Sequence, residues 1–209
     1  MNNYWDSYYK KKKGVLKPSN FALYLKKKYL KKYTGLIYDV GCGNGRDTIF
    51  FNRNGINCIG LDQSKVAIKK NKISFKKYSK KFINKNFINF DFPKSQNLIS
   101  IYSRFSIHSI KKKEEDIFFN KINKLKNLKF LFIEVRTIFD ELYGKGKKIG
   151  LDQFKTTHYR RFINPIRLKK KILKNYKIVD YKLSRNLAKF KKENPKILRI
   201  VAKKNDKKK

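Results

Sequence analysis

Three glycines at alternate positions, Gly41, Gly43 and Gly45, stand in the stretch YDVGCGNGRD, residues 38–47. Asp39 lies two places before the first and Arg46 directly after the last. Glycines let backbone approach a ligand closely, and N–H groups at the start of a following helix favour negative charge. Such a loop suits a nucleotide or a nucleotide-like cofactor. Asp62 follows Gly45 by 17 residues (62 − 45) and can accept two hydrogen bonds from ribose hydroxyls. A second constellation is HYRRF, residues 158–162. His158 can accept a proton near neutral pH, Arg160 and Arg161 can grip a carboxylate or phosphate with two N–H groups each, and Tyr159 can stack or hydrogen-bond. As a loop residue, His158 also reads as a solvated side chain. The other histidine, His108, follows an apolar run with Arg104, at the edge where ligands bind in open α/β sheets. A core histidine bonded to backbone is the competing reading there.

The elements that must position these residues alternate as in a parallel α/β sheet. Ser19 or Asn20 caps a helix running to about Tyr33, closed by Thr34-Gly35. LIYDV (36–40) is a first strand, and the helix after the glycine loop runs to Arg53. NCIGLD (57–62) is a second strand, ended by Asp62. Ser64 caps a helix with Val66, Ile73 and other apolar residues inside. NFINFDF (86–92) predicts a third strand closed by Asp91-Phe92, NLISIYSRF (97–105) a fourth and LKFLFIEVR (128–136) a fifth, with a helix over 112–125 between the last two. Residues 137–163 show no period and read as a long functional loop. Asn164-Pro165 opens a helix to about Lys174, and strands near 176–183 and 195–203 follow as a neighbouring pair.

A dinucleotide loop requires G-x-G-x-x-G, and here the last required position is Arg46. A phosphate-binding loop needs Gly-Lys-Ser/Thr, which is absent. The pattern Asp39-x-Gly41-x-Gly43-x-Gly45, with strand-end Asp62 and then Asp91-Phe92, resembles the class I S-adenosylmethionine-dependent methyltransferases over residues 36–92. The resemblance implies a Rossmann-like, seven-stranded, mostly parallel sheet with helices on both faces and an antiparallel last strand. It implies S-adenosylmethionine as cofactor, held by Asp39, Gly41, Cys42, Gly43, Asn44, Gly45, Arg46, Asp62, Gln63, Asp91 and Phe92. Arg46 would neighbour the methionine carboxylate, or else cap or pair with Asp47. His158 is then the candidate base, with Arg104, His108, Tyr159, Arg160 and Arg161 on the acceptor side. A weaker resemblance runs from YWDSYY through YSRFSIHSI and HYRRFI to RNLAKFKKENPKILRIVAKK. It is to a bacterial subgroup linked to surface-polysaccharide synthesis, and implies a sugar hydroxyl or anionic glycan precursor as acceptor. Tyr4, Trp5 and Tyr9 would close over the cofactor, or simply pack a leading helix on the sheet. The expected organisation is an N-terminal helical cap (1–35), a methyltransferase domain (36–203) with 137–163 as acceptor-side loop, and a disordered Lys-rich tail (204–209).

The chain has 209 residues and a net charge of +40, and its 40% hydrophobic content is not that of a disordered segment. Only nine of its 55 basic residues are arginine, the residue suited to bidentate phosphate and base contacts. Lys, Asn, Ile, Phe and Tyr share A/T-rich codons, so base composition accounts for the lysine excess without a ligand. An RNA methyltransferase using a lysine surface, a thiol or metalloid methyltransferase and a non-catalytic binding protein remain as alternatives. No Asn/Asp-Pro-Pro-aromatic motif follows the fourth strand, which disfavours adenine-amino methylation of DNA. Neither cysteine follows a proline, which disfavours a cysteine-nucleophile cytosine methyltransferase. Two separated cysteines fit reduced thiols in the cytoplasm. No carboxylate cluster for a metal, no signal peptide and no membrane span are expected.

Overall fold

The computed structural model describes residues 2–11, 17–94, 97–189 and 193–205. Backbone contacts divide the chain into two compact units, Met1–Tyr102 and Ser103–Lys209. The first unit opens with α1 (Asn2–Lys11) and α2 (Asn20–Lys28). The α/β alternation then runs β1 (Leu36–Val40), α3 (Arg46–Arg53), β2 (Cys58–Asp62), α4 (Lys65–Ser74), β3 (Phe82–Asn84) and β4 (Ile99–Arg104), whose end reaches the second unit. That unit holds α5 (Lys112–Asn123), β5 (Leu128–Arg136), β6 (Lys147–Gly150), β7 (Gln153–Lys155), β8 (Tyr159–Arg161), α6 (Pro165–Leu173), β9 (Tyr176–Ser184) and β10 (Ile197–Lys204).

Seven strands form one sheet in the order β3-β2-β1-β4-β5-β10-β9. β1 pairs in parallel with β2 and β4, and β2 with β3. β10 runs antiparallel to both β5 and β9. This is the mostly parallel sheet with an antiparallel last strand that the motif order implies. Its central strands are apolar on both faces, as strands covered by helices must be. Ile37, Val40 and Leu61 are fully buried in the first unit, and Leu131, Phe132, Ile133 and Val135 in the second.

Helix starts follow their caps. The Ser19 hydroxyl accepts from the Ala22 N–H at 3.1 Å, and the Ser64 hydroxyl accepts from the Ala67 N–H at 3.1 Å. Asn164 accepts from Ile166 and Arg167, with Pro165 in the first turn.

Four expectations are corrected. The third strand is Phe82–Asn84 rather than 86–92: Asn86 folds the chain into a turn, its carbonyl accepting from the Asn89 N–H and its side chain from the Ile88 N–H. Residues 137–163 are not structureless; β6, β7 and β8 pair antiparallel within them as a second sheet. α2 ends at Lys28, short of Tyr33. In α4 the buried residues are Ala67, Ile68 and Asn71, while Ile73 is 60% exposed, because it lies five positions from Ile68 (73 − 68) and so off the buried face. Of the tail expected from 204, Lys204 closes β10, and residues 206–209 lie outside the described residues.

Candidate functional site

In the first unit the glycine loop is tied down by β2. The N–H groups of Gly41 and Cys42 both donate to the Leu61 carbonyl, at 2.8 and 3.0 Å. The Gly43 N–H donates to Asp62 Oδ2 at 2.8 Å. The other Asp62 oxygen accepts from the Ser64 N–H, also at 2.8 Å. Asp62 is therefore held from both sides and buried, yet each oxygen keeps a lone pair for a further donor. Burial raises its carboxyl pKa, opposed by the Ser64 and Gly43 N–H groups, with the charge on Asp6 raising it further.

Gly41, Gly43 and Gly45 all take positive φ, 76°, 55° and 72°. At Gly45 a Cβ would also stand 2.7 Å from the Phe82 ring. Asn71 of α4 donates to the Gly43 carbonyl at 2.8 Å, a buried clamp that carries no motif signal. Gly45 precedes α3 and gives that helix no side-chain cap.

The other residues of the motif serve the loop's frame. Asp39 accepts from the Thr48 hydroxyl at 2.7 Å, fastening β1 to α3. Asp47 accepts from the Ser19 N–H (2.7 Å), the Ser19 hydroxyl (2.8 Å) and the Tyr102 hydroxyl (2.7 Å), joining α3 to the start of α2 and to β4. Cys42 turns its thiol to β2, where a Cβ on Gly60 would lie 2.9 Å from the sulfur. Both cysteines are free and buried, and burial raises both thiols well above their usual range, which keeps them protonated. Arg46 opens α3 and Asn44 is half-buried in the loop. The Gln63 carbonyl accepts from the Asn84 side chain. Asp91 is exposed, beyond the strand it was expected to close. Phe92 is buried edge-on against Tyr38 (5.2 Å) and Phe90 (5.0 Å).

In the second unit a basic cluster gathers around the two histidines. His108 is buried, and its Nδ1 accepts from the Arg136 N–H at 3.4 Å, the backbone bonding expected of a core histidine. Its pKa lies well below the usual value, first through burial and then through the charges of Arg136, Arg160 and Arg161. His158 is half-buried, 3.2 Å from the Thr157 hydroxyl, with its pKa lowered to about 4 by burial, Arg160 and Arg136.

Arg161 turns inward to Glu115 and donates to the Ile107 and Ile110 carbonyls. Arg160 reaches the Thr156 hydroxyl at 2.9 Å, and Tyr159 donates to Gln153 at 3.1 Å. Arg104 ion-pairs with Glu134 at 2.8 Å, and Glu134 accepts from Arg199 at 2.6 Å. This Arg–Glu–Arg arrangement spans β4, β5 and β10 around the fully buried Glu134 and was not legible in the sequence. Neither was Phe105: it has φ of 58°, and its ring lies 4.4 Å from the Arg104 guanidinium. Among the described residues no group of His, Cys, Asp and Glu could hold a metal ion, and no helix is long and apolar enough to cross a membrane.

Residues 37–127 match the family described as "Methyltransferase domain". The match spans 91 of the 209 residues (127 − 37 + 1), and the chain is an enzyme. The matched segment runs from Ile37 in β1 through β4 to Asn127. No curated protein matches the chain.

Among solved structures, the 1,6-didemethyltoxoflavin-N1-methyltransferase of Burkholderia thailandensis, with 1,6-didemethyltoxoflavin and S-adenosylhomocysteine bound, is similar at TM-score 0.67 and 16% identity. The match covers 89% of this chain and 77% of that one. An S-adenosylmethionine-dependent methyltransferase of Clostridium acetobutylicum gives 0.67 at 12% identity, over 90% and 92% of the two chains. One from Anabaena variabilis gives 0.68 at 16%, over 98% and 93%. At these identities the likeness establishes the fold.

Proposed function

We propose that this methyltransferase moves the methyl group of S-adenosylmethionine to a hydroxyl oxygen of a small, anionic, glycan-like acceptor. The observation that carries the cofactor side is the Asp62 carboxylate. It is fixed by Gly43 and Ser64 N–H groups at the mouth of a loop whose glycines all take positive φ. Its remaining lone pairs suit the two ribose hydroxyls of an adenosyl group. Supporting the small acceptor is the Burkholderia relative, whose named substrate is a small molecule.

The anionic character rests on Arg160, whose charge, with that of Arg136, lowers the pKa of His158. With a pKa of about 4, His158 is neutral at pH 7 and able to accept the hydroxyl proton. It is a weak base, so alignment of the acceptor oxygen with the sulfonium methyl supplies most of the rate, on the order of 7–11 kcal/mol in the best cases. The base adds less than the usual 10²–10⁴-fold. In this reading His158 would take the proton that the acceptor oxygen gives up on receiving the methyl group.

The test is transfer of labelled methyl from S-adenosylmethionine into fractionated cell extract. The expected label is in a charged saccharide fraction, and His158→Ala should lower kcat while leaving S-adenosylhomocysteine affinity intact. Label in RNA, with binding that falls steeply with salt, would replace this acceptor by nucleic acid.

A further inference from the structure

The N-terminal helix brings one polar group to the cradle that the glycine–acid motif does not contain. The Tyr9 hydroxyl lies against Gly43, where a Cβ would stand 2.3 Å from it. Glycine at 43 is thus required twice, for its φ of 55° and for clearance of Tyr9. Asparagine, which tolerates that φ, would satisfy only the first demand.

The helix is held there by α4. Asp6 accepts from the Ser64 hydroxyl at 2.6 Å and the Val66 N–H at 3.3 Å. Lys70 donates to the carbonyls of Tyr9 and Lys10, at 2.6 and 2.9 Å. Ser64 also orients Asp62 through its own N–H, so one short segment, Asp62–Ser64, fixes both the carboxylate and the helix. The Tyr9 hydroxyl makes no hydrogen bond among the described residues, while its ring packs against Trp5 and Tyr8. Half-buried and set against the glycine loop, this phenol leaves its hydroxyl open to a ligand.

We propose that Tyr9 is a cofactor-contacting residue, its hydroxyl bonding the adenosyl-sulfonium ligand where the Gly43 turn meets Asp62. This rests on the cofactor reading above and adds a contact from outside its motif. Burial first, then the charge of Asp62, raises the Tyr9 pKa well above its usual value, so the group remains a neutral phenol able to donate throughout the working range.

Calorimetry of the full chain with S-adenosylhomocysteine tests it, using Tyr9→Phe and, as control on the same helix, Tyr8→Phe. Loss of one hydrogen bond predicts affinity about 2- to 10-fold weaker for Tyr9→Phe. Tyr8→Phe should bind as the unaltered chain does, and both variants should melt at the unaltered temperature without ligand. Unaltered affinity in Tyr9→Phe overturns the proposal while leaving the cofactor reading standing. Absence of heat with the unaltered chain overturns both. Should Tyr9→Phe fail to fold, the chain's single tryptophan, Trp5, reports instead, since it stacks 6.3 Å from Tyr9. Saturating S-adenosylhomocysteine should shift its emission, and an unmoved spectrum overturns the contact.

Discussion

Replacing Gly43 by alanine separates the two demands on that position. The left-handed backbone costs alanine roughly 1–2 kcal/mol, set against about 0.4–1 kcal/mol gained from a stiffer unfolded chain. The clash adds to this: a Cβ would lie 2.3 Å from the Tyr9 hydroxyl but 3.2 Å from the next ring atom, Cζ. Removing the hydroxyl therefore turns a forbidden approach into one that needs a shift of a few tenths of an ångström. The Gly43→Ala penalty should be larger with Tyr9 intact than in the Tyr9→Phe background. Contacting residues couple by about 0.5–3 kcal/mol, and a value of at least about 1 is expected here. Backbone strain and unfolded-state entropy are common to both backgrounds and cancel in the cycle. Urea unfolding of the four proteins gives the energies, and calorimetry with S-adenosylhomocysteine gives the same cycle for binding. Equal penalties in the two backgrounds, within about 0.5 kcal/mol, would refute the placement of Tyr9 on the loop.

Three further outcomes are expected. His158 titrates near 4 in the fold against about 6.5 unfolded, so the unfolded chain binds more protons between those values. Stability should fall as pH drops from about 6.5 to 4, less steeply in His158→Asn, and methyl transfer should persist to about pH 5; a rate limb near 6.5 would contradict the environment assigned to this residue. Glu134→Gln leaves Arg104 and Arg199 without a buried countercharge, and should cost roughly 3–5 kcal/mol in chemical denaturation; a loss below about 1 would mean the arginines find other partners. Asp47→Ala removes the acceptor for Ser19 and Tyr102 and should destabilise the first unit by about 2–4 kcal/mol, at up to about 1.5–3 per hydrogen bond to a charged group. Wild-type melting in that variant would contradict it.

The parallel half of the fold was legible because its signals are local. Ser19, Ser64 and Asn164 cap the helices they were expected to cap, and β1, β2, β4 and β5 are continuous apolar runs. The third strand was misplaced because NFINFDF alternates like a strand. Its aromatic residues instead pack on Tyr38, and the three-residue FIN pairs with Gly60–Asp62. β6 to β8 escaped notice because strands of three or four residues are too short to carry a hydrophobic period.

At the site, glycines and Asp62 are readable because their roles depend on backbone freedom and strand-end position. Asn71 and Asp6 are not: each acts through a contact at long sequence separation, 28 residues for Asn71 to Gly43 and 58 for Ser64 to Asp6. Adjacent Arg160 and Arg161 read as a pair, yet strand alternation sends Arg161 into a buried ion pair and leaves Arg160 beside Thr156.

The central claim is that the Asp62-anchored glycine loop holds the adenosyl group of S-adenosylmethionine and of its thioether product rather than a dinucleotide. Titrating the full chain with S-adenosylhomocysteine and, separately, with a nicotinamide dinucleotide tests it most directly. Saturable heat with the first, abolished by Asp62→Ala, and none with the second is the predicted result. Heat with the dinucleotide alone would contradict the account.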